Sequence, residues 1–225
     1  MSKLILPGGT DVAETALFSI DALPIECCPN NSEIAAMEKQ HSILRFGTGG
    51  DGGYLLHAYI DEPIPAEVMK YCVNDDAIHG KILVEHGQIG FGGVESLYRN
   101  YKPNQNIRSD GNIPVGSYEV TAYHTDFPDE LIEDATQAKI GKNSQKLLNL
   151  PGCVIPSGIF LAIVAAAASA WIITISIIAL VFIFMKIFTR HPRIKQLHDE
   201  SRQVQLNYPS IVVEMKLSPT ASTTS

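Results

Sequence analysis

The residues able to do acid–base or metal chemistry are few and scattered. Asp75 and Asp76 are adjacent in VNDDAIHG, with His79 close behind, while His57, His86 and His124 lie in separate segments. Carboxylate and imidazole act as an acid–base pair or a metal site only when they converge across loops. Their spacing gives no sign of convergence, and acids beside glycine usually form turns. No catalytic residue, metal ligand or cofactor is therefore expected, and a membrane-tethered hydrolase using these histidines is the weakest functional reading. GTGGDGG at 47–53 has the glycines of a phosphate-cradling loop but lacks the Lys-Ser/Thr that should follow, and β-type sequence comes next where a helix N-terminus is needed. It reads as a hairpin turn. GFGGVE at 90–95 fails as a dinucleotide fingerprint for the same reason. Cys27, Cys28, Cys72 and Cys153 show no CxxC spacing. Cys27 and Cys28 pair poorly with each other, though either could meet Cys72; free thiols in a reducing compartment are the expectation. Asn30–Asn31–Ser32 fits a glycosylation sequon, a pattern short enough to recur by chance.

Charge is unevenly spread. Residues 1–150 hold 21 Asp and Glu against 11 Lys and Arg, whereas 151–225 hold 3 against 6. An acidic domain repels phosphate backbones, which argues against nucleic acid and would favour a basic protein partner.

These side chains hang on elements that the pattern predicts. Short β-type runs separated by turn residues occur at 4–6, 15–20, 42–46, 54–60, 81–85, 88–91 and 116–125. The run at 81–85 turns at His86–Gly87 into 88–91. Tyr54, Leu56, Ala58 and Ile60 share one face of their run, as do Tyr118, Val120, Ala122 and His124, the alternation of a half-buried strand. This spacing predicts a mainly β fold, an antiparallel sandwich or barrel-like domain over 1–128. Helices are expected at 32–40, capped near Asn30–Ser32, at 129–148, with acids early and lysines late, and at 191–205.

IFLAIVAAAASAWIITISIIALVFIFM at 159–185 contains no charge. At about 1.5 Å per residue it spans roughly 40 Å, enough for one crossing of a bilayer core of roughly 30 Å. Two crossings would need about 17 residues each and do not fit. The expected order is a β-rich domain (1–128), a helical neck (129–153), one transmembrane helix with flanks (154–189) and a basic juxtamembrane segment with a flexible tail (190–225). Pro151, Gly152, Pro156 and Gly158 loosen the start of the run. Lys186, Arg190, Arg193 and Lys195 crowd its end, where they could contact headgroups. Trp171 falls near the middle, away from either interface. The Ala-rich stretch allows close helix approach, making Ala165, Ala168 and Ser169 candidates for self-association into a homo-oligomer, with Ser169, Thr174 and Ser176 able to add interhelical hydrogen bonds. Orientation is pulled two ways. The start MSKLILPGGTDV is not a signal peptide, which favours a cytoplasmic N-terminal domain at a cell inner membrane. The basic residues are fewer before the run (Lys139, Lys142, Lys146) than after it (Lys186, Arg190, Arg193, Lys195, Arg202), which favours the opposite.

GTDVAETALFSIDALP, FGTGGDGGYLLHAYID, ILVEHGQIGFGG and NIPVGSYEVTAYH together resemble a family of uncharacterised bacterial β-rich domains, some of whose relatives are grouped with immunity proteins of interbacterial toxin systems. The resemblance covers about residues 5–127 and implies a fold and a non-enzymatic binding role, with no catalytic residues. The family does not imply a membrane helix. The expected function is thus a membrane-anchored binding module, in its specific form an immunity or anti-toxin protein with a basic toxin as partner. The alternative is a membrane effector or sensor of a defence system, its transmembrane helix self-associating.

Overall fold

A computed structural model describes residues 3–102, 104, 106–148, 150–167 and 171–218. The chain divides into two units: residues 1–127 with 209–225, and residues 128–208. In chain order the elements are β1 (Lys3–Thr10), β2 (Glu14–Ser19), α1 (Asn31–Lys39), β3 (Ile43–Gly47), β4 (Gly52–Ile60), α2 (Ala66–Met69), β5 (Ile78–Val84), β6 (Gln88–Gly93), β7 (Arg108–Asn112), β8 (Gly116–His124), α3 (Asp129–Ile140), α4 (Lys142–Leu148), α5 (Leu150–Ala167), α6 (Trp171–Arg190), α7 (Pro192–Gln205) and β9 (Ile211–Leu217).

The strands form two sheets, ordered β1-β4-β9-β8-β5 and β3-β2-β6-β7. Alternation decides what lies between them. Leu56, Ala58 and Ile60 of β4, Tyr118, Val120 and Ala122 of β8, and Ile211, Val213 and Met215 of β9 face Leu17, Phe46, Ile89 and Phe91 of the other sheet in one core. Each outer face has its own cover. Ile34 and Met37 of α1 pack with Ala16, Phe18 and Ile43, and Ile64 packs with Tyr59 and Val212. α1 begins in a capping box: the Asn30 side chain accepts from the Ser32 and Glu33 amides, and the Glu33 carboxylate accepts from the Asn30 amide. The sequon asparagine is thus occupied as a cap.

The sandwich expected from spacing is present, with three differences. First, β4 and β9 pair in parallel, so the larger sheet is mixed. Second, the two expected hairpins are crossovers: β3 and β4 belong to different sheets, as do β5 and β6. The turn residues do reverse the chain, Gly87 doing so at φ +78°, but they deliver it to the opposite layer. Third, the 190–225 segment is not a tail throughout. Ile211–Leu217 is the middle strand of the larger sheet, hydrogen-bonded to β4 on one side and β8 on the other.

Among the described residues every regular element of the second unit is a helix, so a mainly β description holds for the first unit alone. Gly141 closes α3 in the left-handed region at φ +84°, splitting the expected 129–148 helix into α3 and α4. The apolar run is also divided. α5 ends at Ala167, α6 starts at Trp171, and the two pack against each other. α5 begins nine residues before the expected start and continues through Pro156.

Candidate functional site

The histidines and aspartates singled out by type do not assemble. His57 is buried on the outer face of β4, edge-on to Tyr59 with ring centroids 6.4 Å apart. His79 lies on β5, its Nδ1 3.3 Å from Thr121 Oγ1. Three strand spacings separate β4 from β5, roughly 14 Å. His124 ends β8 opposite Ile211. His86 occupies an exposed turn, its Nδ1 3.3 Å from Asp21 Oδ2. Asp75 and Asp76 sit in a 3-10 turn with no buried residue. Among the described residues, no group of three or more His, Cys, Asp or Glu gathers to hold a metal. Cys27, Cys28 and Cys72 are free. Burial pushes the Cys28 and Cys72 thiols up from their ordinary range.

Sequence reasoning missed the most enclosed cation. Arg108, only 1% exposed, donates to both Asp110 oxygens at 2.7 and 3.2 Å and to the Ser96 and Tyr98 carbonyls at 2.9 Å. Its guanidinium lies 4.9 Å from the Phe18 ring centroid. With charge, donors and flat face all engaged, it braces the loop before β7. The only prior signal was a charged pair, Arg108 and Asp110, at the two-residue spacing of one strand face.

On the outer face of β5, β8 and β9 lies an exposed ladder of charges. Lys81 Nζ is 3.7 Å from Glu119 Oε1, and Lys216 Nζ is 2.6 Å from Glu214 Oε1. That hydrogen bond to Glu214 holds the Lys216 ammonium above its ordinary range.

The helical unit concentrates unusual surface. α7 presents Ile194, Leu197 and Val204 as a buried stripe, α3 buries Thr136 and Ile140, and the two pack together. α4 also meets α7, and α5 meets α6. With α3–α4–α5 leading up and α6–α7 following, this pairing makes the unit one long antiparallel hairpin. α6 is long and apolar enough to cross a membrane by length and composition, and little of it is buried. Ile172 is 83% exposed and Phe182 73%. Ser176 Oγ donates to the Ile172 carbonyl at 2.8 Å and Thr189 Oγ1 to the Met185 carbonyl at 2.8 Å, each within its own helix.

Of the candidate headgroup contacts, Lys186 and Arg190 end α6 while Arg193 and Lys195 begin α7, and all four are exposed. Lys142 and Lys146 of α4 are exposed too. A cleft of about 270 Å³ opens at this boundary, lined by Leu147, Phe184, Ile187, Phe188, His191, Arg193 and Ile194. Its lining is mostly apolar, with His191 and Arg193 as its polar members. Of the self-association candidates, Ala165 belongs to α5, whereas Ala168 and Ser169 lie outside the described residues.

No family model and no curated protein matches the chain. Among solved structures, one described as "Crocagin biosynthetic gene J" is similar at 17% identity and a TM-score of 0.37, covering 55% of this chain and 76% of that one. The crystal structure of ComJ, inhibitor of the DNA degrading activity of NucA, from Bacillus subtilis, is similar at 11% identity and a TM-score of 0.34, covering 56% and 82%. Likeness at this level does not bear on activity.

Proposed function

We propose that the chain is a membrane-anchored binding module, in which the helical unit holds an acidic β-sandwich at a membrane so that the sandwich can engage a protein. The observation carrying this reading is the exposure of α6. A helix of this length most of whose apolar side chains stay exposed presents a surface that water does not tolerate, and hydrocarbon is the solvent that fits it. The sandwich adds an acidic surface suited to a basic partner. Its specific form is an immunity or anti-toxin protein at a bacterial inner membrane, a form supported by the family resemblance of residues 5–127.

Co-expression with each product encoded beside it tests the reading. The expected result is that one neighbour is toxic alone, that this chain restores growth, and that the purified pair dissociates as salt is raised, because exposed charges screen within about 10 Å at 0.1 M. If no neighbouring product is toxic and none binds the detergent-solubilised chain, the immunity form is rejected.

A further inference from the structure

The strand register places a constraint on any membrane arrangement. β8 and β9 are adjacent antiparallel strands, with His124 opposite Ile211. Just beyond that pair, the Thr125 amide donates to the Ser210 carbonyl at 3.1 Å and the Thr125 hydroxyl donates to the Pro209 carbonyl. The whole helical unit is therefore the loop of a β-hairpin. Its two ends are one strand spacing apart, about 5 Å, whereas a single bilayer crossing would separate them by roughly 30 Å. A chain that leaves and re-enters the same sheet in this way crosses a membrane an even number of times.

Resting on the anchoring reading above, we infer that α5 and α6 form a two-pass transmembrane hairpin, with the β-sandwich and all flanking basic residues on one face of the membrane and the α5–α6 connection on the other. Three observations support it independently. The lengths match: α5 has 18 residues and α6 has 20, about 27 and 30 Å of helix against a core of roughly 30 Å. The zoning is mirrored on the two arms. Going up, acids at 129–134 are followed by Lys139, Lys142 and Lys146 and then by uncharged α5; coming down, uncharged α6 is followed by Lys186, Arg190, Arg193 and Lys195 and then by Asp199 and Glu200. Because α4 and α7 pack together, the two basic groups form one belt. On a single-pass helix they would lie on opposite faces. Finally, Trp171 starts α6 and is 64% exposed, at the end of the hairpin far from that belt. An indole favours such an interfacial depth and gains nothing from mid-bilayer. With eight Lys and Arg at 139–202 on the sandwich side and none from 147 to 185, the positive-inside rule places the sandwich in the cytoplasm. The conflict over orientation that a single crossing creates is then gone.

The test uses the full chain in cells, with Cys27, Cys28, Cys72 and Cys153 replaced by Ser and one cysteine added at a time: Val12→Cys in the sandwich, Ser169→Cys in the connection, or Gln203→Cys in α7. A membrane-impermeant maleimide is applied before and after permeabilisation, and labelling is scored on carbonate-washed membranes. The hairpin predicts labelling of Ser169→Cys in intact cells, and labelling of Val12→Cys and Gln203→Cys only after permeabilisation, each by at least ten-fold. Opposite behaviour of Val12→Cys and Gln203→Cys would overturn it in favour of one crossing. A connection labelled only after permeabilisation would overturn it in favour of a hairpin dipping into one leaflet. Loss of all three proteins from washed membranes, with a soluble oligomer in gel filtration without detergent, would instead reject the anchoring reading and assign the apolar surface to second copies of the chain.

Discussion

If the helical unit is a hairpin loop, it can be excised without harming the sandwich, whereas β9 cannot. Joining Phe127 to Pro209 through Gly-Gly leaves Asp126, Phe127, two glycines and Pro209 between the paired Thr125 and Ser210, a five-residue connection within the ordinary hairpin range. Ending the chain at Phe127 removes β9 as well. Ile211, Val212, Val213 and Met215 are each fully buried. At about 1.5–3 kcal/mol per side chain they contribute about 6–12 kcal/mol, comparable with the roughly 5–15 kcal/mol that holds a whole domain together. Shortening the connection adds at most about 2.5 kcal/mol in closure entropy. The joined protein should therefore be soluble, show a β-type far-ultraviolet circular dichroism spectrum and unfold in one cooperative urea transition. The 1–127 fragment should show no such transition. A cooperative transition of equal midpoint in the fragment, or a joined protein that is unfolded in the absence of detergent, would refute the placement of β9 and with it the even-crossing argument.

Other consequences can be checked on the joined protein. Arg108→Met should lower the unfolding free energy by about 1–3 kcal/mol, because it leaves the Ser96 and Tyr98 carbonyls without their buried donor and Asp110 without its partner; chemical denaturation measures this, and an unchanged unfolding free energy would contradict the bracing role. Stability should fall in alkali. Desolvation pushes the Tyr59 and Tyr118 hydroxyls up from 10.0, so the unfolded chain loses these protons first. Their contribution is then complete below pH 10 and lost as pH rises through the folded values. Urea midpoints at pH 9, 10 and 11 should decline in that order, and a flat profile would contradict it.

Much of the sandwich was legible because alternation and turn chemistry are local. Seven of its strands were readable from short β-type runs, and α1 from the Asn30 cap. What was hidden was non-local. β7 reads RSDGN, polar with a glycine, and takes its strand conformation from pairing with β6. IVVEMKL carries an evident apolar run, but its place between β4 and β8 is fixed by partners far back in the chain. The glycines at 47–53 and Gly87 announce reversals without stating which sheet receives the chain. Pro156 misdirected the reading of α5. In water an interior proline argues for a boundary, whereas membrane helices tolerate it. Starting the run at 159 left too few residues for two helices, so Trp171 looked central when it begins α6. The basic residues were identifiable by type alone, but that both groups flank one boundary required the helix pairing.

The central claim is that lipid is the solvent of the α5–α6 surface. Alkaline carbonate extraction of membranes from cells making the full chain, followed by sedimentation, tests it most directly. The chain should stay in the pellet, and the protein joined across Phe127 and Pro209 should appear in the supernatant. The full chain in the carbonate supernatant would contradict the account.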